Sequence, residues 1–125
     1  MQAQLLVRQV EWFGEESATV TLDSGEATVE VFSHLGSYRQ GDKVDNLLQI
    51  LDGELVAAAL ADWPDDDAAD ELQNMGSYRY RGTGRVVDSE RGLVAVQGFC
   101  IEFGQTYLTG RVEFTIDRLD LYPND

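Results

Sequence analysis

The chain has 125 residues, 43% of them hydrophobic, with 23 acidic and 9 basic side chains and a formal net charge of −14. That length fits one domain spanning residues 1–125, able to bury roughly two-thirds of its unfolded surface. The charge argues against nucleic acid, whose affinity comes mainly from Lys and Arg displacing counterions, and no apolar run reaches the roughly 20 residues of a membrane helix.

A balance this negative favours a basic protein as partner. The N-terminal MQAQLLVRQVEWFGEE meets Arg8 and Glu11 before any apolar stretch long enough for an export signal, so the cytoplasm is the expected compartment. Residues 3–13 read as a first strand. Leu5, Leu6, Val7, Val10, Trp12 and Phe13 fall on both of its faces, so it is either bent or buried on both sides.

SATVTLD then alternates cleanly, with Ala18, Val20 and Leu22 on one face and Thr19, Thr21 and Asp23 on the other. EATVEVF follows the turn at Ser24-Gly25, so residues 17–33 predict a hairpin. His34, the only histidine, ends this unit with no Ser or Cys in a triad pattern around it, and a surface or structural role is expected. GSYR occurs at residues 36–39 and again at 76–79, but the flanks do not align, and chance recurrence is simpler than duplication.

After a turn at Gly41-Asp42, a short strand is predicted over residues 44–51. GELVAAALADW is rich in Ala and Leu, and PDDDAADELQNMG carries a Pro, early acidic residues and a final Gly. Together they predict a short α-helical insert over residues 54–75. Trp63, Asp65, Asp66, Asp67, Asp70 and Glu71 make this insert the candidate partner-binding surface, with Trp63 as the anchor. The carboxylates lack the ligand order and central glycine of a calcium loop, so no metal is expected; acidic residues at a helix start also serve as caps.

Residues 78–87, 93–103 and 108–122 return to strands. Residues 78–91 hold Arg79, Arg81, Arg85 and Arg91 against Asp88 and Glu90, a local net charge of +2 that leaves −16 for the rest. The arginines are therefore expected to answer carboxylates elsewhere in the fold. Gly82-Thr83-Gly84 resembles the start of a phosphate cradle, but no helix follows to hold the phosphate. The glycines instead allow a bend or the close approach of another backbone. Along this strand Tyr78 and Tyr80 lie on one face and Arg79, Arg81 and Arg85 on the other, so rings and cations share no platform for bases. Arg79, Arg81 and Arg85 form the candidate anion-binding row of an alternative reading. The neighbours of Cys100, in GFCIEFG, are apolar or acidic, which marks an inert thiol. Phase changes at Gln97-Gly98 and near Asp117 are read as bulges.

These elements predict a mainly β domain, a small antiparallel β-barrel or strongly curved sheet with a short α-helical insert. Three or four strands, a helix and further strands resemble the OB-like plan in architecture only. With one His, one Cys and no ligand spacing, the expected role is a non-enzymatic, cofactor-free, acidic protein-binding module, an adaptor or inhibitor of a basic partner. The alternative is a small-ligand or anion-binding barrel that uses the arginine row.

Overall fold

The computed structural model describes residues 3–34, 36–57 and 70–122. Its strands are β1 (Gln4–Trp12), β2 (Ser17–Asp23), β3 (Thr28–His34), β4 (Lys43–Asp45), β5 (Gln49–Ala57), β6 (Glu71–Gly76), β7 (Arg79–Asp88), β8 (Leu93–Val96), β9 (Phe99–Glu102) and β10 (Gly110–Asp120). Among the described residues there is no helix.

The first three strands form a meander. In β2 and β3 the period-2 pattern does what it predicts: Ala18, Val20, Leu22, Val29 and Val31 are buried. β1 is bent, because its ladder to β2 slips between Val7 and Gln9 and Arg8 becomes the extra residue. Leu5 and Val7 point into the core before the slip.

Over the described residues of the expected helical insert, strand forms and not helix. Residues 54–57 are the end of β5 and residues 71–76 are β6, while residues 58–69 lie outside the described residues. Helix propensity is a local preference, and here distant backbone overrides it: Leu55 pairs with Phe114 and Ala57 with Val112 across β5 and β10. Residues 44–51 are likewise divided. Val44 belongs to β4, which pairs with β1, and β5 starts afresh at Gln49.

Nor does the sheet close into a barrel. Its strands run β4-β1-β2-β3-β10-β7-β8-β9, with β5 added to β10 and β6 added to β7. Most pairs are antiparallel, but β3 meets β10 in parallel at a single position, Phe32 with Asp120. β10 therefore serves three neighbours, and the edges of β3, β5 and β6 are not joined to one another. One isolated parallel bridge, Leu48 with Ile101, links the β4 side to β9. The order and number of the described strands do not follow the five-stranded OB-like plan.

Of the two expected bulges, the one at Gln97-Gly98 is a hairpin turn instead. At Gln97-Gly98, φ is 46° and 84°, and the chain turns back on itself, so that Val96 faces Phe99 and Val94 faces Ile101. Two consecutive positive φ values match the twist of a two-residue hairpin, which makes this stretch two strands and not one kinked strand. Near Asp117, Ile116 still faces Gly53 and Arg118 faces Leu51 on the β5 side. On the β7 side Ile116 faces Tyr80 while the next bond runs from Leu119 N to Tyr78 O, so β10 carries one extra residue there, as expected of a bulge. The ladder skips Asp117 and Asp52, Asp52 has φ 59°, and the buried side changes from Phe114 and Ile116 to Leu119 and Leu121.

Candidate functional site

Where β5, β10, β7 and β6 lie side by side, one face of the sheet belongs to the core and the other is polar. The core face carries Phe114 and Tyr80, with Leu55 and Leu72 packed against them. On the polar face the registers build two cross-strand rows. One runs Glu71, Thr83, Glu113, Val56 and the next runs Gln73, Arg81, Thr115, Glu54. Neighbours in a row are about 4.8 Å apart at the backbone. Together they line a groove of about 440 Å³.

Gly82 lets this surface form. A Cβ there would sit 2.0 Å from the Glu71 carbonyl oxygen, so only a residue without a side chain brings β6 this close to β7. Thr83 is buried, and its Oγ1 accepts from the Glu71 backbone N–H at 3.1 Å. Arg81 Nε donates to Gln73 Oε1 at 2.9 Å. Among the described residues, no ion pair reaches Glu54, Glu71 or Glu113.

At one end of the groove the charge changes sign. Arg85 and Arg111 face each other across β7 and β10, and Arg111 Nη1 lies 3.5 Å from Asp70 Oδ1. Burial pushes the Asp70 carboxyl above its ordinary value more than Arg111 and Arg85 pull it down. Asp23 is the contrast: the Gly25 N–H and then Arg8 hold its carboxyl below the same value. In an NMR titration, Asp70 is expected above 3.8 and Asp23 below it, and the reverse order would contradict this electrostatic assignment. Their effects on stability have opposite signs. The Asp23 contribution is present above the unfolded value and lost as pH falls through the lowered folded one. The Asp70 contribution is present below the unfolded value and lost as pH rises through the raised folded one.

The described members of the two rival surfaces expected from the sequence, Asp70 and Glu71 on one side and the arginines on the other, therefore lie close together. Asp70 lies beside Arg85 and Arg111, and Glu71 lies one strand from Thr83 and diagonally from Arg81. Arg79 and Arg81 are exposed, whereas Arg85 is half-buried. Trp63, Asp65, Asp66 and Asp67 lie outside the described residues. Among the described residues, no group of three or more His, Cys, Asp or Glu side chains could hold a metal, and no helix is long and apolar enough to cross a membrane. Cys100 is buried, and burial raises its thiol pKa.

Two arrangements lie beyond the patterns of single segments. Ser17 Oγ lies 3.1 Å from His34 Nδ1, because the β2 and β3 register makes these residues partners. Arg118 grips the fully buried Asp120 through Nε and Nη2 at 2.7 and 3.0 Å, and its guanidinium lies 4.2 Å over the Phe32 ring. The Arg-x-Asp spacing hints at the fork in advance, but no local signal brings Phe32 to it. Comparison with protein-family models, curated proteins and solved structures gave no match.

Proposed function

We propose that this chain is a non-enzymatic binding module whose glutamate-lined groove receives a basic segment of a partner protein. The observation that carries the reading is the grouping of Glu54, Glu71 and Glu113 in one groove with no ion pair among the described residues. The net charge of −14 adds long-range attraction for a cationic partner. A cytoplasmic setting belongs to the proposal and rests on a single, buried cysteine. The arginine row favours the anion-binding alternative less, since Arg81 is bonded to Gln73 and Arg85 has Asp70 beside it.

The test is calorimetric titration with short lysine-rich and glutamate-rich peptides at two salt concentrations. Binding is expected for the basic peptides only, weakening as salt rises. Replacing Glu54, Glu71 and Glu113 together by Gln should weaken it by about tenfold or more, because each lost pair at a partly desolvated site contributes on the order of 0.5–1 kcal/mol. Equal affinity in a triple variant with an unchanged melting curve would refute the assignment of the groove.

A further inference from the structure

β6 has a second face, and it borders a different opening. Glu71 and Gln73 point to the groove, whereas Leu72 and Asn74 alternate with them and help to wall a notch of about 430 Å³. The opposite wall is β3, at Thr28, Val29 and Glu30, and Tyr80 lies between the walls, 4% exposed. Among the described residues, β3 along this stretch pairs with β2 on one side only, since β10 joins it no earlier than Phe32, and β6 pairs only with β7.

The hydrogen bonds reveal which backbone groups of β3 face the notch. The Phe32 carbonyl accepts from Leu121 N, and both polar backbone groups of Glu30 reach the Tyr80 phenol. The even-numbered residues of β3 thus turn their N–H and C=O groups away from β2, and Thr28 is the next in that row. At Glu30 the phenol acts as a neighbouring strand residue would. Its oxygen accepts the Glu30 N–H at 2.8 Å, and its O–H donates to the Glu30 carbonyl at 3.1 Å. Asn74 Nδ2 donates to the same oxygen at 3.1 Å from the β6 wall.

We infer that this notch is a slot for strand addition: an extended basic segment of a partner protein enters between β3 and β6, bonds to the backbone at Thr28 and Glu30, and displaces the Tyr80 hydroxyl. An extended backbone suits the slot because the groups on the β3 wall repeat at strand spacing. The charge is basic because the walls hold Glu30 and no Lys or Arg, within a chain of net charge −14. Val29 and Leu72 supply apolar contact for the side chains that alternate inward. The slot and the glutamate groove lie on opposite faces of β6, so this inference stands or falls separately from the groove.

The probe is a capped peptide of alternating lysine and valine, followed by isotope-edited NMR of the intact chain. Saturable shifts are expected at the Thr28 and Glu30 amides and at the Asn74 side chain, with slowed hydrogen exchange at Thr28. The same peptide N-methylated at alternate residues keeps its charge but loses donors, and it should no longer bind. Tyr80→Phe should lower the melting temperature yet tighten peptide binding about 2–10-fold, because a competing hydrogen-bonded group is gone. Glu30→Gln, which leaves the backbone intact, should weaken binding and flatten its salt dependence, and it serves as the second variant where Tyr80→Phe unfolds. Equal binding of the N-methylated peptide, shifts confined to Thr83, Glu113 and Thr115, no binding at all, or protection of the Thr28 amide by self-association without peptide would each overturn the inference.

Discussion

Phe99→Ala is expected to remove about 3–5 kcal/mol of folding free energy, the usual cost of emptying a large buried aromatic site. Phe99 is fully buried and is the first strand residue after the Gln97-Gly98 turn, where it faces Val96 across the β8 and β9 hairpin. Its position therefore depends on the turn. Domains of this size have about 5–15 kcal/mol of net stability, so the change takes a large share of the total. At about 3–5 °C per kcal/mol, the melting temperature should drop by roughly 10–20 °C. Urea melts would report the free energy, and a loss below about 1 kcal/mol would contradict the placement of this ring in the core.

How far the sequence reveals this fold depends on the range of the forces involved. The hairpin of β2 and β3 was legible because alternation of Ala18, Val20 and Leu22 with Thr19 and Thr21 is a local property of one half-buried strand. The inward face of Tyr80, Val94, Val96, Phe114 and Ile116 was legible for the same reason, and all five are buried. Val86, on the same face of β7 as Tyr80, is only partly buried. The ends of the expected helix were not legible. Leu55 and Ala57 have strong helix preferences, and what makes them strand is the edge of β10, far along the chain. Gln97 misled for a different reason: a non-glycine residue at φ 46° is uncommon, so its turn looked like a kink.

The candidate site was legible in its parts and not in its assembly. The contrast between acidic and basic segments implied that the arginines of residues 78–91 answer carboxylates, and this holds in part. Arg91 pairs with Glu102 and Arg85 lies near Asp70, but Arg81 bonds to Gln73, and the pairs of Arg111 with Asp70 and Arg118 with Asp120 come from outside that segment. Register decides which carboxylates of this face have no ion pair among the described residues. Glu54, Glu71 and Glu113 come from three strands separated in sequence, and they meet because β10 pairs with β5 on one edge and β7 on the other. Alternation puts Tyr80 on the face away from the arginines, and it is buried there, but its hydroxyl end lies against a strand edge that no pattern in its own segment discloses.

Gly82→Ala should be nearly as costly as the loss of Phe99, and for an opposite physical reason. Nothing is removed. The added Cβ would lie 2.0 Å from the Glu71 carbonyl oxygen and 2.9 Å from Phe114 Cζ, and the first of these neighbours is backbone that cannot rotate aside. Either β6 leaves β7 or β7 shifts against β10, and overpacking of this kind costs about 1–3 kcal/mol, occasionally more. Loss of the β6 pairing would also expose the Thr83 hydroxyl and the Leu72 side chain, so the cost should lie at the upper end of that range. Thr83→Ser at the neighbouring position, which keeps the hydroxyl that accepts the Glu71 N–H, should cost far less. Hydrogen exchange resolves the mechanism: in Gly82→Ala the amides of β6 should lose protection first, while those of β2 and β3 keep theirs. A phosphate cradle at Gly82-Thr83-Gly84 would instead give a variant that folds normally and loses only anion binding. Wild-type stability together with wild-type protection in β6 would show that the glycine is not there to admit the neighbouring backbone, and the glutamate groove would lose the contact that positions one of its walls.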